Sequence, residues 1–255
     1  MTASRAADLR ALAYCLMIAA VAIALCLRVL HEGVPTLADE SPLPPPAPVL
    51  FADVLPSVVE EAVARYEPAV RARYAPLMAE LGLSWPARQV TLLGFKAEKR
   101  LEVWVASGDS QFRRLAVLPV LAASGHAGPK RQYGDHQVPE GFYPVTELNP
   151  RSSYHLSLRV GYPNDEDIAH ARVPRDKMGG DIYVHGGSRS VGCLAMGNAA
   201  IEGLFCLVAR AAPDQRRVIL APVDLRVTAV APSGDPWVDD LYDRLRQALA
   251  DFPAS

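Results

Sequence analysis

The chain has 255 residues, of which 50% are hydrophobic and 21% are charged, and this composition is that of a globular protein. A formal net charge of −2 and the lack of Lys and Arg runs disfavour binding to a nucleic-acid backbone. Four cysteines in a chain of this length are too few for a disulfide scaffold. We therefore expect a globular protein without a nucleic-acid partner.

An uncharged apolar segment, ALAYCLMIAAVAIALCL, occupies residues 11–27, with Arg5 and Arg10 before it and Arg28 directly after it. Its length lies at the short end of a membrane-spanning helix and exceeds the usual apolar region of a signal peptide. Because no small-residue cleavage site follows closely, residues 1–32 predict a single-pass signal anchor in the bacterial inner membrane, in preference to a cleaved signal. The arginines favour a cytoplasmic N-terminus, which places the rest of the chain in the periplasm.

The next two segments predict a spacer and a helical extension. Residues 33–50 form a proline-dense stretch, GVPTLADESPLPPPAPVL, which predicts an extended linker. Residues 51–87 carry apolar positions at helical spacing, interrupted by Pro68 and Pro76, and predict two or three short helices. We expect these helices to pack against the following domain and to carry no chemistry.

From Gln89 onward the apolar pattern changes to that of strands. The strand candidates are QVTLLGF, LEVWVAS, FRRLAVLPVLA, GFYPVTEL, YHLSLRVGY, DIYVHGG, RVILAPV and DLRVTAV. Helices are predicted for Ala199–Arg210 and Trp237–Phe252. These elements predict a mostly β domain of the α+β class over residues 88–230, followed by a C-terminal helix within residues 231–255.

The residues capable of chemistry concentrate in residues 181–198, DIYVHGGSRSVGCLAMGN. A predicted strand ends at His185, and Cys193 follows eight residues later, after Gly192 and before a helix that starts at Asn198. A nearby histidine and a helix N-terminus both lower the pKa of a thiol, so this spacing favours a nucleophilic cysteine with a histidine base. The glycine lets the backbone approach a substrate, whose oxyanion could then bind N–H groups of the turn.

Structural alternatives remain open for these residues. Cys193 could be a small buried side chain and His185 an ordinary strand-end residue. A disulfide between Cys193 and Cys206 is a further alternative, because the predicted compartment is oxidising. Cys206 falls at an inward position of an apolar predicted helix, so we expect it to be packed and reduced.

The stretch VHGGSRSVGCLAMGN, together with PEGFYPVTELNPRSSYHLSLRVGYPN upstream, resembles the catalytic domain of the YkuD-type L,D-transpeptidases, in particular their divergent YafK-like branch. The resemblance covers about residues 90–225. It implies a mostly β fold with the cysteine in a cleft and action on the meso-diaminopimelate stem peptides of peptidoglycan. It also implies that no metal or organic cofactor takes part.

The resemblance extends to individual positions. Cys193 corresponds to the family's nucleophile, and His185 with Gly186 corresponds to the upstream His-Gly pair whose histidine activates the thiol. Ser190 and Gly192 match two further positions of the motif Ser/Thr-His-Gly-Cys. The resemblance therefore implies an oxyanion and substrate-binding role for these flanking residues.

The chain departs from the family pattern at three places. Val191 replaces the second motif histidine, and His155 is the candidate to supply its role. Ala195 replaces the arginine that commonly follows the cysteine by two positions, and Arg189 is the candidate substitute. Only four residues, 186–189, separate the first histidine from the serine, which implies a shorter loop over the cleft.

Other histidines give weaker signals. His170 lies close to the acidic run at residues 165–167, but the spacing of a metal motif is lacking, and a solvated acidic loop is expected. His126 and His136 lie in a glycine-containing loop that could border the cleft, although simple exposure is the expectation. No metal site is predicted.

Taken together with this resemblance, the sequence predicts a membrane-anchored periplasmic cysteine acyltransferase, and the resemblance implies that it attacks the carbonyl at the L-centre of diaminopimelate and forms a thioester. An amine or water would then resolve the thioester, so a hydrolase or amidase that releases wall-linked protein or peptide is an alternative. A catalytically silent wall-binding module is another, because Val191 and Ala195 replace polar family positions. The expected partners are peptidoglycan stem peptides, a wall-linked lipoprotein and the inner membrane.

Overall fold

The structure is a computed structural model that describes residues 51–108 and 110–254, and for residues 51–57 it describes the backbone alone. The predicted anchor at residues 1–32 and the predicted linker at residues 33–50 lie outside the described residues. None of the helices in the described part combines the length and the apolar character that crossing a lipid bilayer requires.

The described chain begins with a long helix and continues into strands interspersed with shorter helices. In chain order the elements are α1 (Phe51–Glu80), β1 (Gln89–Phe95), β2 (Arg100–Ala106), β3 (Arg113–Pro119), β4 (Gly141–Asn149), β5 (Ser157–Val160), α2 (Asp165–Ala169), β6 (Tyr183–His185), β7 (Leu194–Ala195), α3 (Asn198–Arg210), β8 (Arg216–Ala221) and α4 (Pro236–Leu249). Every strand candidate except DLRVTAV contains an observed strand.

The DLRVTAV segment folds into turns because its first residue accepts hydrogen bonds from the N–H groups that a strand would use for pairing. The side-chain carboxylate of Asp224 accepts the N–H of Arg226 at 3.1 Å, and the backbone carbonyl oxygen of Asp224 accepts the N–H of Thr228 at 2.9 Å. An Asp that accepts hydrogen bonds from the N–H groups of the next few residues favours a turn over a strand. The strand prediction for this segment was therefore wrong.

The eight strands form one sheet in the order β3-β2-β1-β8-β4-β5-β6-β7. The pairs β1–β8 and β6–β7 are parallel, and the other neighbours are antiparallel. The register of β4 shifts between Val145 and Glu147, where the strand leaves β8 and continues alongside β5. The predicted mostly β domain with helices around its sheet is confirmed.

Both faces of the central strands are buried, which explains the almost continuous apolar run of β1. Val90 and Leu92 face a core cluster that includes side chains of α1 and α3, whereas Leu93 and Phe95 face a second cluster built with α4. This division follows from the alternation of side chains along a strand. The sheet therefore lies between α1 and α3 on one face and α4 on the other.

The helical extension is a single helix of 30 residues, and the prediction of two or three short helices was wrong. Pro68 and Pro76 lie inside it, although each proline removes one backbone hydrogen bond of the helix. Arg210 of α3 holds the helix by donating to Glu60 and Glu67 at 3.0 and 2.6 Å. The buried face of the helix consists of Val63, Val70, Tyr74 and Met78. The packing of this face thus outweighs the free-energy cost of the prolines in the helix.

The acidic run that predicted a solvated loop forms the short helix α2. Asn164 caps this helix by accepting the N–H of Asp167 at 2.8 Å, and the Asp167 carboxylate accepts the N–H of Asn164 in return. Glu166 is bound by Trp237 and Arg244 of α4. These carboxylates therefore tie α2 to α4 and to the end of β5.

Cys206 lies in α3 with no exposed surface, and both Cys193 and Cys206 are free thiols. The expectation that Cys206 is packed and reduced is confirmed, and burial raises the pKa of its thiol to about 12. A disulfide between the two cysteines is not formed.

We predict that Cys206→Ala lowers the free energy of unfolding by about 1–3 kcal/mol, because it removes a packed sulfur and leaves a small cavity. Urea denaturation of the wild type and the variant measures this difference. Alkylation of Cys193 should proceed at the wild-type rate in the folded variant. Wild-type stability in the variant would show that this position of α3 is not tightly packed.

Candidate active site

The pairing of β6 with β7 brings His185 and Cys193 together. His185 lies opposite Ala195 in this parallel pair. When this register is continued two residues towards the N-terminus, Cys193 lies beside Tyr183. The N–H of Tyr183 donates to Cys193 Sγ at 3.4 Å. Because residues two apart on a strand share a face, Cys193 and His185 project from the same face of the sheet. The residues between them form the loop that connects two neighbouring strands.

Ser157 of β5 lies directly opposite His185 and adds a hydroxyl group to the same face. The neighbouring strand residues, whose side chains point to the other face of the sheet, pack into the main core there; they are Leu158, Val184 and Leu194. The alternation along three adjacent strands thus separates a polar row from an apolar row. The sequence placed Ser157 among strand residues but did not single it out as a site residue, because the pairing of β5 with β6 was unknown.

A cleft of about 480 Å³ opens on this face and contains both His185 and Cys193. Ser190 and Arg189, which the sequence also singled out, line the same cleft, as does Ser157. The structure therefore brings together four of the seven residues predicted for the site. Gly186, Gly192 and His155 occupy other positions, which are described below.

His185 is in the form that a general base requires. Its Nδ1 lies 2.6 Å from the carbonyl oxygen of Gly186, which can only accept a hydrogen bond. Nδ1 therefore carries the proton, and Nε2 keeps its lone pair. The side chain is only 3% exposed, and this burial lowers the pKa of His185 below its usual range. The imidazole is consequently neutral at neutral pH.

Cys193 is a neutral thiol in the free protein. Burial raises the pKa of the Cys193 thiol, and the hydrogen bond from the N–H of Tyr183 opposes this only in part. The Sγ atom also lies 3.5 Å from the carbonyl oxygen of Asp181, to which the thiol donates. The expectation that the histidine and the following helix lower the pKa of this thiol does not hold for the free protein, because desolvation outweighs the groups that lower it, which are the N–H of Tyr183 and the charge of Lys130.

The backbone N–H groups of Cys193 and of the residue before it are directed at hydroxyl oxygens. Gly192 N–H donates to Ser124 Oγ at 2.7 Å, and Cys193 N–H donates to Ser190 Oγ at 3.1 Å. Gly192 has a φ of 82°, a left-handed conformation that glycine adopts without steric cost. A negatively charged oxygen is a stronger acceptor than a hydroxyl, so an oxyanion can replace these partners. Ser124 comes from the loop after β3, and no local pattern marked it.

Gly186 allows close packing at the end of β6 because it has no side chain. A Cβ atom at this position would lie 2.4 Å from the carbonyl oxygen of Tyr154 and 2.8 Å from Asn198 Oδ1. The same Asn198 oxygen accepts the N–H of Gly187 at 2.9 Å. Gly186 therefore lets the end of β6 pack closely against the turn that precedes β5, and its own carbonyl orients His185.

His155 does not line the cleft, so the structure does not bring it to the position expected for a substitute of the motif histidine. Its Nε2 instead lies 2.7 Å from Glu202 Oε1 of α3, and its ring meets the edge of the Tyr66 ring at 5.5 Å. The strand predicted for YHLSLRVGY includes His155, but β5 starts only at Ser157, so His155 lies in the turn before the strand.

Two arginines give the rim of the cleft a positive charge. Arg189 from the β6–β7 loop and Arg151 from the β4–β5 loop both line the cleft. Among the residues that line it, Asp181 has the only carboxylate, and this carboxylate lies 3.3 Å from Arg159. The cleft is thus suited to a ligand that carries negative charge. The sequence indicated Arg189 but gave no reason to select Arg151.

His126 and His136 line recesses other than the catalytic cleft. Across residues 51–108 and 110–254, no group of three or more His, Cys, Asp and Glu side chains is arranged to hold a metal ion. The chemistry described below uses only the side chains and backbone groups of the cleft.

Solved structures with similarity to this chain include one from Campylobacter jejuni and one from Bdellovibrio bacteriovorus. One is the helical cell shape determining protein Pgp2 from Campylobacter jejuni, with 24% identity, a TM-score of 0.43 and coverage of 68% of this chain and 62% of that chain. The other is Bd1075 from Bdellovibrio bacteriovorus, with 21% identity, a TM-score of 0.40 and coverage of 65% and 56%.

Among curated proteins, the chain is 37% identical over 116 residues to "Putative L,D-transpeptidase YafK" from Escherichia coli K12, and equally to the protein of that name from E. coli O157:H7. The match covers 45% of this chain and 45% of each relative, so the chain spans less than half the length of the curated relatives it matches. The family model of the YkuD L,D-transpeptidase catalytic domain matches residues 87–223, which include the whole sheet and the cleft. The chain therefore belongs to the YkuD L,D-transpeptidase catalytic-domain family.

Proposed function

We propose that the protein is a peptidoglycan-modifying cysteine acyltransferase, an L,D-transpeptidase that acts at meso-diaminopimelate through a thioester. The observation that carries the proposal is the polar row of the cleft, in which Cys193 and a neutral His185 with a free Nε2 share one sheet face. Membership of the family supports a peptidoglycan stem peptide as the substrate class. No cofactor enters the proposal.

In the proposed acylation, His185 Nε2 accepts the proton of Cys193 Sγ as the sulfur attacks the carbonyl carbon. The N–H groups of Gly192 and Cys193 then stabilise the oxyanion, after it displaces the hydroxyls of Ser124 and Ser190. Collapse of the intermediate breaks the amide C–N bond, and the protonated imidazole returns its proton to the leaving amine. The product is a thioester on Cys193.

The second half of the reaction reverses the proton transfers. An incoming amine attacks the thioester carbonyl and gives its proton to His185, the C–S bond breaks, and the sulfur recovers the proton. Because burial keeps both partners neutral in the free protein, the reactive ion pair forms only when a substrate is in place. This protects the thiol from side reactions before the substrate binds.

Hydrolysis at the same site is the alternative proposal, because two of the side chains that line the cleft are well exposed. Val191, which stands in the motif position of the second histidine, is 68% exposed, and Tyr154, which also lines the cleft, is 52% exposed. Water as well as an amine could therefore reach the thioester. In that case the enzyme would release a peptide or a wall-linked lipoprotein. A silent wall-binding module is the third candidate, and it requires an unreactive Cys193.

We further propose that residues 1–32 anchor the protein in the bacterial inner membrane and that the catalytic domain lies in the periplasm. The uncharged apolar stretch at residues 11–27 and the arginines before it support this topology. The substrate class supports it too, since peptidoglycan lies outside the inner membrane. The proline-dense residues 33–50 would then separate the domain from the membrane.

We predict that alkylation of Cys193 by iodoacetamide continues to accelerate at pH values where an ordinary thiol has levelled off, because burial raises the pKa of the thiol. His185→Ala should slow the reaction roughly 3- to 10-fold near neutral pH, because no imidazole is then available to accept the thiol proton as the sulfur attacks the reagent. Mass spectrometry of the peptide containing Cys193 measures the rate. An equal rate in the wild type and in His185→Ala would exclude this histidine as the base.

We predict that the full chain in detergent converts purified peptidoglycan and that Cys193→Ala eliminates turnover without loss of fold. His185→Ala should lower kcat by about 10²- to 10⁴-fold, the usual contribution of a general base. With a diaminopimelate tetrapeptide and a D-amino acid as acceptor, mass spectrometry should detect the exchanged peptide. Water-derived products alone, even with acceptor in excess, would assign hydrolysis, and turnover by Cys193→Ala would rule out the thioester mechanism.

We predict that the Arg151→Ala/Arg189→Ala double variant raises KM for a diaminopimelate tetrapeptide about 3- to 10-fold, with a smaller effect on kcat. The reason is that both guanidinium groups line the cleft and can bind a substrate carboxylate. Arg113→Ala is the matched control, because this exposed arginine lies on β3 at the opposite edge of the sheet. An unchanged KM in the double variant would show that the rim charge does not contact the substrate.

A further inference from the structure

Tyr154 covers the imidazole of the proposed base. The centroids of the Tyr154 and His185 rings are 4.6 Å apart, and their planes are inclined by 37°. Tyr154 is 52% exposed, whereas His185 is 3% exposed, so the tyrosine stands between the imidazole and solvent. The imidazole is therefore held both by this ring contact and by the hydrogen bond of its Nδ1 with the carbonyl oxygen of Gly186.

A tight turn at His155 places Tyr154 over the base. The N–H of Leu156 donates to the carbonyl oxygen of Tyr154 at 3.1 Å, and His155 between them has a φ of 77°. A hydrogen bond across a single residue with positive φ makes a γ-turn of the less favourable kind. A residue with a side chain keeps this conformation only when its surroundings hold it.

Contacts from three directions hold the turn. Glu202 of α3 lies 2.7 Å from His155 Nε2, and the Tyr66 ring of α1 lies edge-on at 5.5 Å. On the third side the backbone of Gly186 packs so closely that a Cβ atom would lie 3.1 Å from His155 Cβ. The side chains of His155 and Glu202 are about one quarter and one third exposed, at 26% and 30%. The contact is therefore partly shielded from water.

We propose that the His155–Glu202 pair is a positioning device that holds the γ-turn, keeps Tyr154 stacked on His185 and thereby keeps the imidazole aimed at Cys193. This inference rests on the proposed function, because it takes His185 as the base. It gives His155 a role in the site without contact with the substrate. It also links α3 and the helical extension α1 to the orientation of the base.

The test compares rates of iodoacetamide alkylation of Cys193 in the full chain across a pH series. Glu202→Ala and His155→Gly should each slow the reaction about 3- to 10-fold near neutral pH, and the double variant should be no slower than the slower single variant. Glycine adopts a positive φ without strain, so His155→Gly removes the side-chain contact with Glu202 without introducing a steric clash in the turn. The conservative variants Glu202→Gln and Tyr154→Phe should retain most of the wild-type rate.

Controls separate this role from a general loss of structure. Glu61→Ala removes an exposed carboxylate of α1 that has no contact with the turn, and it should leave the rate unchanged. In the His185→Ala background, Glu202→Ala should cause no further slowing, because the device acts through the imidazole. Asp181 and Lys130, the charged groups that act on the Cys193 thiol, are unchanged in every variant.

Two results would overturn the inference. Wild-type rates in Glu202→Ala and His155→Gly, with a slow His185→Ala, would reject the positioning role while leaving the proposed function intact. Slowing by Glu202→Ala in the His185→Ala background would show that the pair supports the fold and does not act through the base. An unchanged rate in His185→Ala itself would reject both the base and the device.

Discussion

The parallel pairing of two very short strands is the constraint on which the site depends. β6 has three residues and β7 has two, and their register alone decides that Cys193 and His185 share a face. A shift by one residue would turn the thiol into the core and bring Leu194 into the cleft. The register is held because Val184 and Leu194 are buried together in the main core. The burial of these apolar residues on one face of the sheet therefore determines which polar residues face the cleft on the other.

Burial has opposite consequences for the two reacting groups. It raises the pKa of the Cys193 thiol and lowers the pKa of the His185 imidazole, so each change favours the neutral form. The helix and the histidine near Cys193 in sequence suggested a preformed thiolate. The structure replaces that picture with a neutral thiol and a neutral imidazole in the free protein. The proposed proton transfer between them would depend on the orientation of the imidazole, which donates a hydrogen bond to the carbonyl of Gly186 and packs against the ring of Tyr154.

Local patterns predicted seven of the eight strands and singled out Cys193 and His185, but they were insufficient wherever distant segments meet. The apolar run of β1 and the interval from His185 to Cys193 were visible in the sequence. Ser124 was not, because its bond to the N–H of Gly192 joins residues 68 positions apart. His155 was misplaced because its partner Glu202 is 47 positions away, in α3. The uninterrupted α1 was missed because its packing against the core outweighs the cost of Pro68 and Pro76.

The replacement of the motif arginine by Ala195 has a structural counterpart. Ala195 has no exposed surface, and its backbone exchanges hydrogen bonds with Leu121 and Ala122 from the loop after β3. Because Ala195 is fully buried, a longer side chain at this position would have to displace its neighbours. The loop after β3 also carries Ser124, whose Oγ accepts the N–H of Gly192 beside Cys193. The small residue is thus compatible with the close backbone pairing of this loop with β7, while Arg189 and Arg151 carry the positive charge at the mouth of the cleft.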